Sequence, residues 1–307
     1  MPRIYLPEGT YLNDRHPQKP ITMQDLEDAL QKRTILEAVA VSCDTKHNLH
    51  VNLGCIMGVI PHNEGAIGIA EGLTRDIAII SRVGKAVSFT VEGFTQNRYG
   101  ERTALLSRRK AQEKCISEYI SHLQPGDVIP AKVTHIEAFG AFCDIGCGIA
   151  ALMPIDAVSV SRISTPKDRF KCGDDIKAVV KSIADGKITL SQKELLGTWE
   201  ENAALFSQGE TVSGIVRSVE SYGIFVELTP NLAGLAESRP DVKVGQHASV
   251  YIKSIIPEKM KVKLIIVDAF DSNDTMIPIQ YFSNTSHIDR WVYSPNNCIK
   301  TIETNFI

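Results

Sequence analysis

Phe139 and Phe142 stand three apart in Phe-Gly-Ala-Phe, and Tyr222 and Phe225 repeat the spacing in Tyr-Gly-Ile-Phe. Rings on an open protein face stack on unpaired nucleobases, each stacked base contributing about 1–3 kcal/mol whatever its identity. The competing use of such rings is to fill an apolar core. Residues three apart in a strand face opposite sides. A bulge at Gly140, a residue type that marks bulges and barrel corners, turns both rings to one outer face. His47 and His50 have the same spacing and stack more weakly. They stand where the rings belong, so they are not read as metal ligands. Cys143 and Cys147 lack a second pair at zinc spacing, and Asp268, Asp271 and Asp274 lack the calcium-loop pattern. No phosphate loop, His-Glu-x-x-His or Gly-x-Ser-x-Gly is present, so neither a cofactor, a metal nor an enzymatic activity is expected.

The elements that must position these rings come in copies. PGDVIPAKVTHIEAFGAFCDIGCGIAALMP (125–154) aligns without a gap on QGETVSGIVRSVESYGIFVELTPNLAGLAE (208–237). Gly126 meets Gly209, Val133 meets Val216, Phe142 meets Phe225 and Asp144 meets Glu227. A fainter copy, ILEAVAVSCDTKHNLHVNLGCIMGVIP (35–61), precedes them and carries an insertion at 62–76. Each copy reads as short apolar runs bounded by glycine or Asp-Gly signals, and Asp185-Gly186 suits a tight hairpin. Five short strands in so few residues fit a closed OB barrel, which leaves no exposed edge strand. The expected fold is all-β: three tandem OB barrels of five strands joined by short helices, the first and third divergent.

Helical periodicity marks 22–33, 108–123 and 193–206, with Thr22 as N-cap and Asp25 completing a capping box. The expected organisation is an extended, proline-rich arm (1–21), a divergent repeat with its leading helix (22–114), a second repeat (124–193), a shortened third repeat (207–267) and a tail (268–307). The tail belongs to no repeat. Its aromatic residues fit a cap on the third barrel, a nucleic-acid surface or a docking peptide.

The ordered set of Gly-x-x-Val-x-Gly-x-Val (209–216), Phe-Gly-Ala-Phe-x-Asp and the closing Leu-Ser-x-Lys (190–193) resembles the S-one RNA-binding motif. That OB domain is repeated in the largest protein of the bacterial small ribosomal subunit. The resemblance covers roughly residues 33–267. It implies RNA contact by Phe139, Phe142 and Lys187 in the second repeat and by Tyr222 and Phe225 in the third. In the first repeat it implies His47 and His50, with Arg98 or Arg102 on the last hairpin. The family's histidine after Gly-Leu-Leu has no counterpart in register; His62 comes one step late. Arg162, Lys167, Arg169 and Lys171 form a basic loop of the kind that meets phosphates, with Arg162 and Arg169 taken as contacts. Arg217, Lys243, Lys253, Lys259, Lys261 and Lys263 add cations around the third repeat.

Composition sets the remaining bounds. The 307 residues are 43% hydrophobic and 22% charged, with a net charge of −3, so polyanion binding must come from local patches. Seven cysteines without a secretory signal argue for reduced thiols in a soluble cytoplasmic protein with no membrane partner. The resemblance implies single-stranded RNA or mRNA as partner, with the small ribosomal subunit as the setting. A regulator of transcripts or RNA decay away from the ribosome, and a protein-interaction module without RNA, are the alternatives.

Overall fold

The computed structural model describes residues 5–10, 21–96, 99–272 and 276–307. They form two compact units, Met1–Leu123 with Asp144–Ala150 and Gln124–Cys143 with Ala151–Ile307.

In the first unit, α1 (Met23–Lys32) begins at the Thr22/Asp25 capping box, buries Leu26 and Ala29, and ends at Arg33 in the left-handed region. The first barrel follows: β1 (Leu36–Cys43), β2 (Leu49–Asn52), β3 (Met57–Ile60), the short helix α2 (Ile77–Ile80), β4 (Ala86–Gln96) and β5 (Arg102–Ser107). The sheet closes in the order β1-β2-β3-β5-β4 around Leu49, Val51, Phe89 and Leu106, with Leu26 and Ile79 in the same core. Ile79 comes from the 62–85 connection, which is therefore part of the barrel's packing. Within the expected arm, residues 5–10 are held down. The buried Glu8 carboxylate receives both Nε (2.8 Å) and Nη2 (2.9 Å) of Arg108, the first residue of α3 (Arg108–Glu118). Asp144 accepts the backbone N–H groups of Glu8, Gly146 and Gly148.

The second barrel consists of β6 (Val128–Glu137), β7 (Gly140–Asp144), β8 (Ala150–Pro154), β9 (Asp175–Ala184) and β10 (Lys187–Ser191). Asp185 and Gly186 both have positive φ, as the tight β9–β10 hairpin requires. After the five-residue helix α4 (Trp199–Ala203) come β11 (Thr211–Glu220), β12 (Gly223–Thr229), β13 (Leu232–Ala236), β14 (His247–Ile256) and β15 (Lys261–Phe270). In all three barrels the first and fourth strands pair to close the sheet, and the third and fifth strands run parallel. This is the five-stranded OB arrangement. The third repeat is shortened only in its loop, 237–246 against 155–174; its five strands are all present.

The tail caps the second unit. Residues 281–288 run beside the second barrel, where Tyr281 Oη accepts from Lys177 N (2.9 Å) and Gln192 Nε2 (3.0 Å). Then β16 (Arg290–Val292) and β17 (Glu303–Asn305) form a hairpin that puts Trp291 and Tyr293 into the third barrel's core. Among the described residues, no helix is long and apolar enough to cross a membrane.

The basic loop is clamped by an ion cluster. Arg169 Nη2 lies 2.5 Å from Glu227 Oε1, with both side chains fully buried, and Arg217 Nε holds the other oxygen of Glu227. Arg217 Nη1 also reaches Asp168 at 3.3 Å. Removing one partner of a buried ion pair strands the other charge in a medium that solvates it poorly, at about 3–5 kcal/mol. Arg169→Met is therefore expected to destabilise the second unit by about that amount, read as a lowered urea midpoint. A midpoint equal to wild type excludes the clamp.

The tail also carries a pH-sensitive contact. His287 Nδ1 sits 2.7 Å from Asp127 Oδ1, and that hydrogen bond raises the imidazole above its usual value, with Asp289 assisting. A raised histidine stabilises the fold fully below its unfolded value of about 6.5 and ceases to do so as pH rises through the folded value. The Val128 and Ile288 amides, bonded to Ser286 O and Gly126 O, should lose exchange protection as pH rises above about 6.5 and through the raised folded value, after correction for intrinsic rates. His287→Gln should abolish that dependence.

Candidate nucleic-acid interface

The two ring pairs have nearly the same geometry. Phe139 and Phe142 lie 6.1 Å apart, centroid to centroid, at 88°; Tyr222 and Phe225 lie 6.1 Å apart at 85°. The leading ring of each pair is open to solvent, Phe139 57% and Tyr222 69%, while Phe142 and Phe225 are half-buried. The local cause differs from the expected bulge at Gly140. Phe139 sits in the turn between β6 and β7, and Gly140 is the first residue of β7. A Cβ at Gly140 would stand 2.5 Å from Met153 O, and one at Gly223 would stand 2.6 Å from Ala236 O. Glycine thus lets β7 and β12 start hard against the neighbouring strand. In the third barrel the bulge lies across the ladder in β11, between Val216 and Ser218, with Ser218 opposite Phe225.

The first barrel keeps one of these positions and alters the other. His50 lies opposite Ser42 just after a register shift, as Phe225 lies opposite Ser218. Its Nε2 faces Asp44 at 3.6 Å instead of a second ring. Asp44 accepts from Asn48 and from Lys46 N, which holds its carboxyl down to about 2 and closes the turn that carries His47 at φ 60°. His47 then pairs with His62: their rings are 5.8 Å apart, and both reach Asp76, at 3.1 and 2.7 Å. The hydrogen bond from His62 is the main cause holding the Asp76 carboxyl below its usual range. The three ligand atoms lie within 4.8 Å of one another, which is metal-ligand proximity at a partly exposed site. The expected His47/His50 pair is thus replaced by His47/His62. Asp76, which joins them, comes from the insertion, and spacing in the sequence gives no sign of it.

The cations divide into free and spent. Lys187 and Arg162 are exposed. Arg169 is not a phosphate contact: its side chain is fully buried on Glu227, so the expectation for it fails for want of access. Arg217 is likewise spent on Glu227 and Asp168. Arg102 lies 4.2 Å over the Phe94 ring and pairs with Glu27, while Arg98 lies outside the described residues. His135, on β6, was not singled out by spacing; its ring stands 6.3 Å from Phe142 and extends the second barrel's aromatic surface.

Rings on display contribute little to the fold. Phe139→Ala and Tyr222→Ala should each change stability by about 0.5 kcal/mol or less, as surface substitutions do. Phe89→Ala, in the first barrel's closed core, should cost about 3–5 kcal/mol. Chemical denaturation of the three variants checks this; a loss of several kcal/mol at Phe139 or Tyr222 would return those rings to the core.

Comparison with known proteins gives this surface a context. Residues 122–192 match the family model described as S1 RNA binding domain. The small ribosomal subunit protein bS1 homolog of Bacillus subtilis (strain 168) is 26% identical over 293 residues, covering 92% of this chain and 72% of the relative. The small ribosomal subunit protein bS1 of Staphylococcus aureus (strain COL) is 28% identical over 270 residues, 82% of this chain and 66% of the relative. The bS1 protein of Leuconostoc lactis is 33% identical over 169 residues, covering 52% of this chain and 39% of its own length. Residues 122–192 thus match the S1 RNA binding domain model, in a chain similar to the bS1 small-subunit ribosomal proteins over most of its length.

Proposed function

We propose that this protein binds single-stranded RNA, mRNA above all, on the outer aromatic faces of its second and third barrels. It would act in the cytoplasm, in translation, as a factor resembling small-subunit ribosomal proteins. The observation that carries this reading is the duplicated ring pair, with one ring exposed and the same 6.1 Å separation in both barrels. Stacking on such a pair is indifferent to base identity, so binding is only loosely sequence-specific. Lys187 at the β9–β10 hairpin and Arg162 on the long loop, both exposed, would meet phosphates. The first barrel, with two imidazoles bound to Asp76 in place of the rings, contributes less.

Fluorescence anisotropy of a labelled mixed-sequence single-stranded RNA tests the reading. Wild type should bind with a slope of log affinity on log salt near −0.7 per neutralised phosphate. Phe139→Ala/Phe142→Ala, shown to be folded by circular dichroism, should weaken binding several-fold. Absence of wild-type binding at low salt overturns the proposal. Cosedimentation with small ribosomal subunits then checks the setting.

A further inference from the structure

The aromatic face of the third barrel continues into a groove of about 620 Å³, a volume in the range of sites that enclose a small ligand. Tyr222 and Phe225 line one part of it. The Val160–Ser164 segment of the second barrel's long loop forms another wall, and the tail forms the third with Tyr293, Lys300 and Ile302.

One residue ties the walls together. Asn231 Oδ1 accepts from Val160 N (2.9 Å), and its Nδ2 donates to Lys193 O and Gly197 O (2.8 Å each). Its backbone carbonyl accepts from the Tyr293 hydroxyl. The hairpin that carries Lys300 is fixed in turn: Ser294 Oγ donates to Lys300 O and accepts from Ile302 N, both at 2.8 Å. The walls are therefore set before any ligand arrives, which lowers the ordering cost of binding.

The charges in the groove are unequal. Arg217 is neutralised by Glu227 and Asp168. Arg162, Lys259 and Lys300 are exposed and form no ion pair with any described residue, against the one lining carboxylate of Glu220. Two adjacent rings and three uncommitted cations around a preformed cleft are complementary to a polyanion that carries flat apolar groups.

We infer that this groove is a composite RNA subsite, in which a base stacks on Tyr222 and Phe225 while Arg162, Lys259 and Lys300 receive the flanking phosphates. The tail hairpin is thus part of the binding surface as well as a cap. This rests on the single-stranded RNA reading above and adds the tail and the loop to it.

The test uses the full chain carrying Phe139→Ala/Phe142→Ala, which silences the second barrel's platform, titrated with labelled oligouridine across a series of salt concentrations. Adding Arg162→Ala and Lys300→Ala, both at exposed positions, should weaken binding at low salt by at least tenfold. The salt slope should become shallower by about 0.7 for each lost phosphate contact. Lys85→Ala, an exposed cation outside the groove, should leave both quantities unchanged. If Tyr222→Ala/Phe225→Ala abolishes binding while the Arg162 and Lys300 substitutions change neither affinity nor slope, the groove is overturned and the barrel face stands alone. If the wild type binds RNA but the Phe139/Phe142 background does not, the groove is again overturned and the general reading survives. If wild type itself binds nothing, the general reading falls first and this inference with it.

Discussion

A carboxylate sealed from solvent, that of Glu227, decides how the second unit is put together. An ionised carboxylate in a low-dielectric interior loses several kcal/mol of hydration, and only close opposite charge offsets that loss. Glu227 takes Arg169 from the second barrel's long loop and Arg217 from its own sheet, with Asp168 on the far side of Arg217. The loop cannot lift away without leaving a charge in the core. Phe170 is buried next to the clamp, and the Val160–Ser164 segment keeps its place beside the third barrel. In the aligned position of the preceding repeat, Asp144 is also buried, but it is held by backbone amides at Glu8, Gly146 and Gly148. One column of the repeat thus anchors a different segment in each copy.

The aromatic pairs follow from the geometry of the closed sheet. A five-stranded barrel has little interior, and aliphatic side chains such as Val216, Val226 and Val250 fill it. At the start of β7 and β12 the neighbouring strand comes so close that no side chain fits, so glycine is needed there. The ring before each glycine lies on the outside, where its partner two positions beyond the glycine meets it edge to face.

Much of this was legible because it was written twice. The strands, the Asp185-Gly186 hairpin and the Thr22/Asp25 cap are local signals, and repetition at fixed spacing turned weak runs into a barrel. The glycine of Phe-Gly-Ala-Phe does signal a backbone constraint, but what it permits is close approach rather than a bulge. The fate of Arg169 was hidden. A cation in a loop reads as solvated unless its partner is known, and Glu227 is brought to it only by the third barrel's folding. The His47–His62–Asp76 cluster was hidden in the same way, since the insertion that supplies Asp76 has no counterpart in the other repeats. The tail's aromatic residues announced burial, while the hydrogen bonds of Asn231 that join tail, loop and barrel carry no sequence signature.

Closure of each sheet has a consequence for how such a chain grows. An open sheet that is copied in tandem offers its twin an unpaired edge, and neighbouring copies then risk exchanging strands during synthesis. A barrel that pairs its first strand with its fourth has no edge to offer, so a duplicated copy can fold beside its parent without being captured by it. Each copy is then free to drift. Here one copy carries imidazoles where the others carry rings, another has a shorter loop, and one carries the full pattern, three versions of one unit in a single molecule.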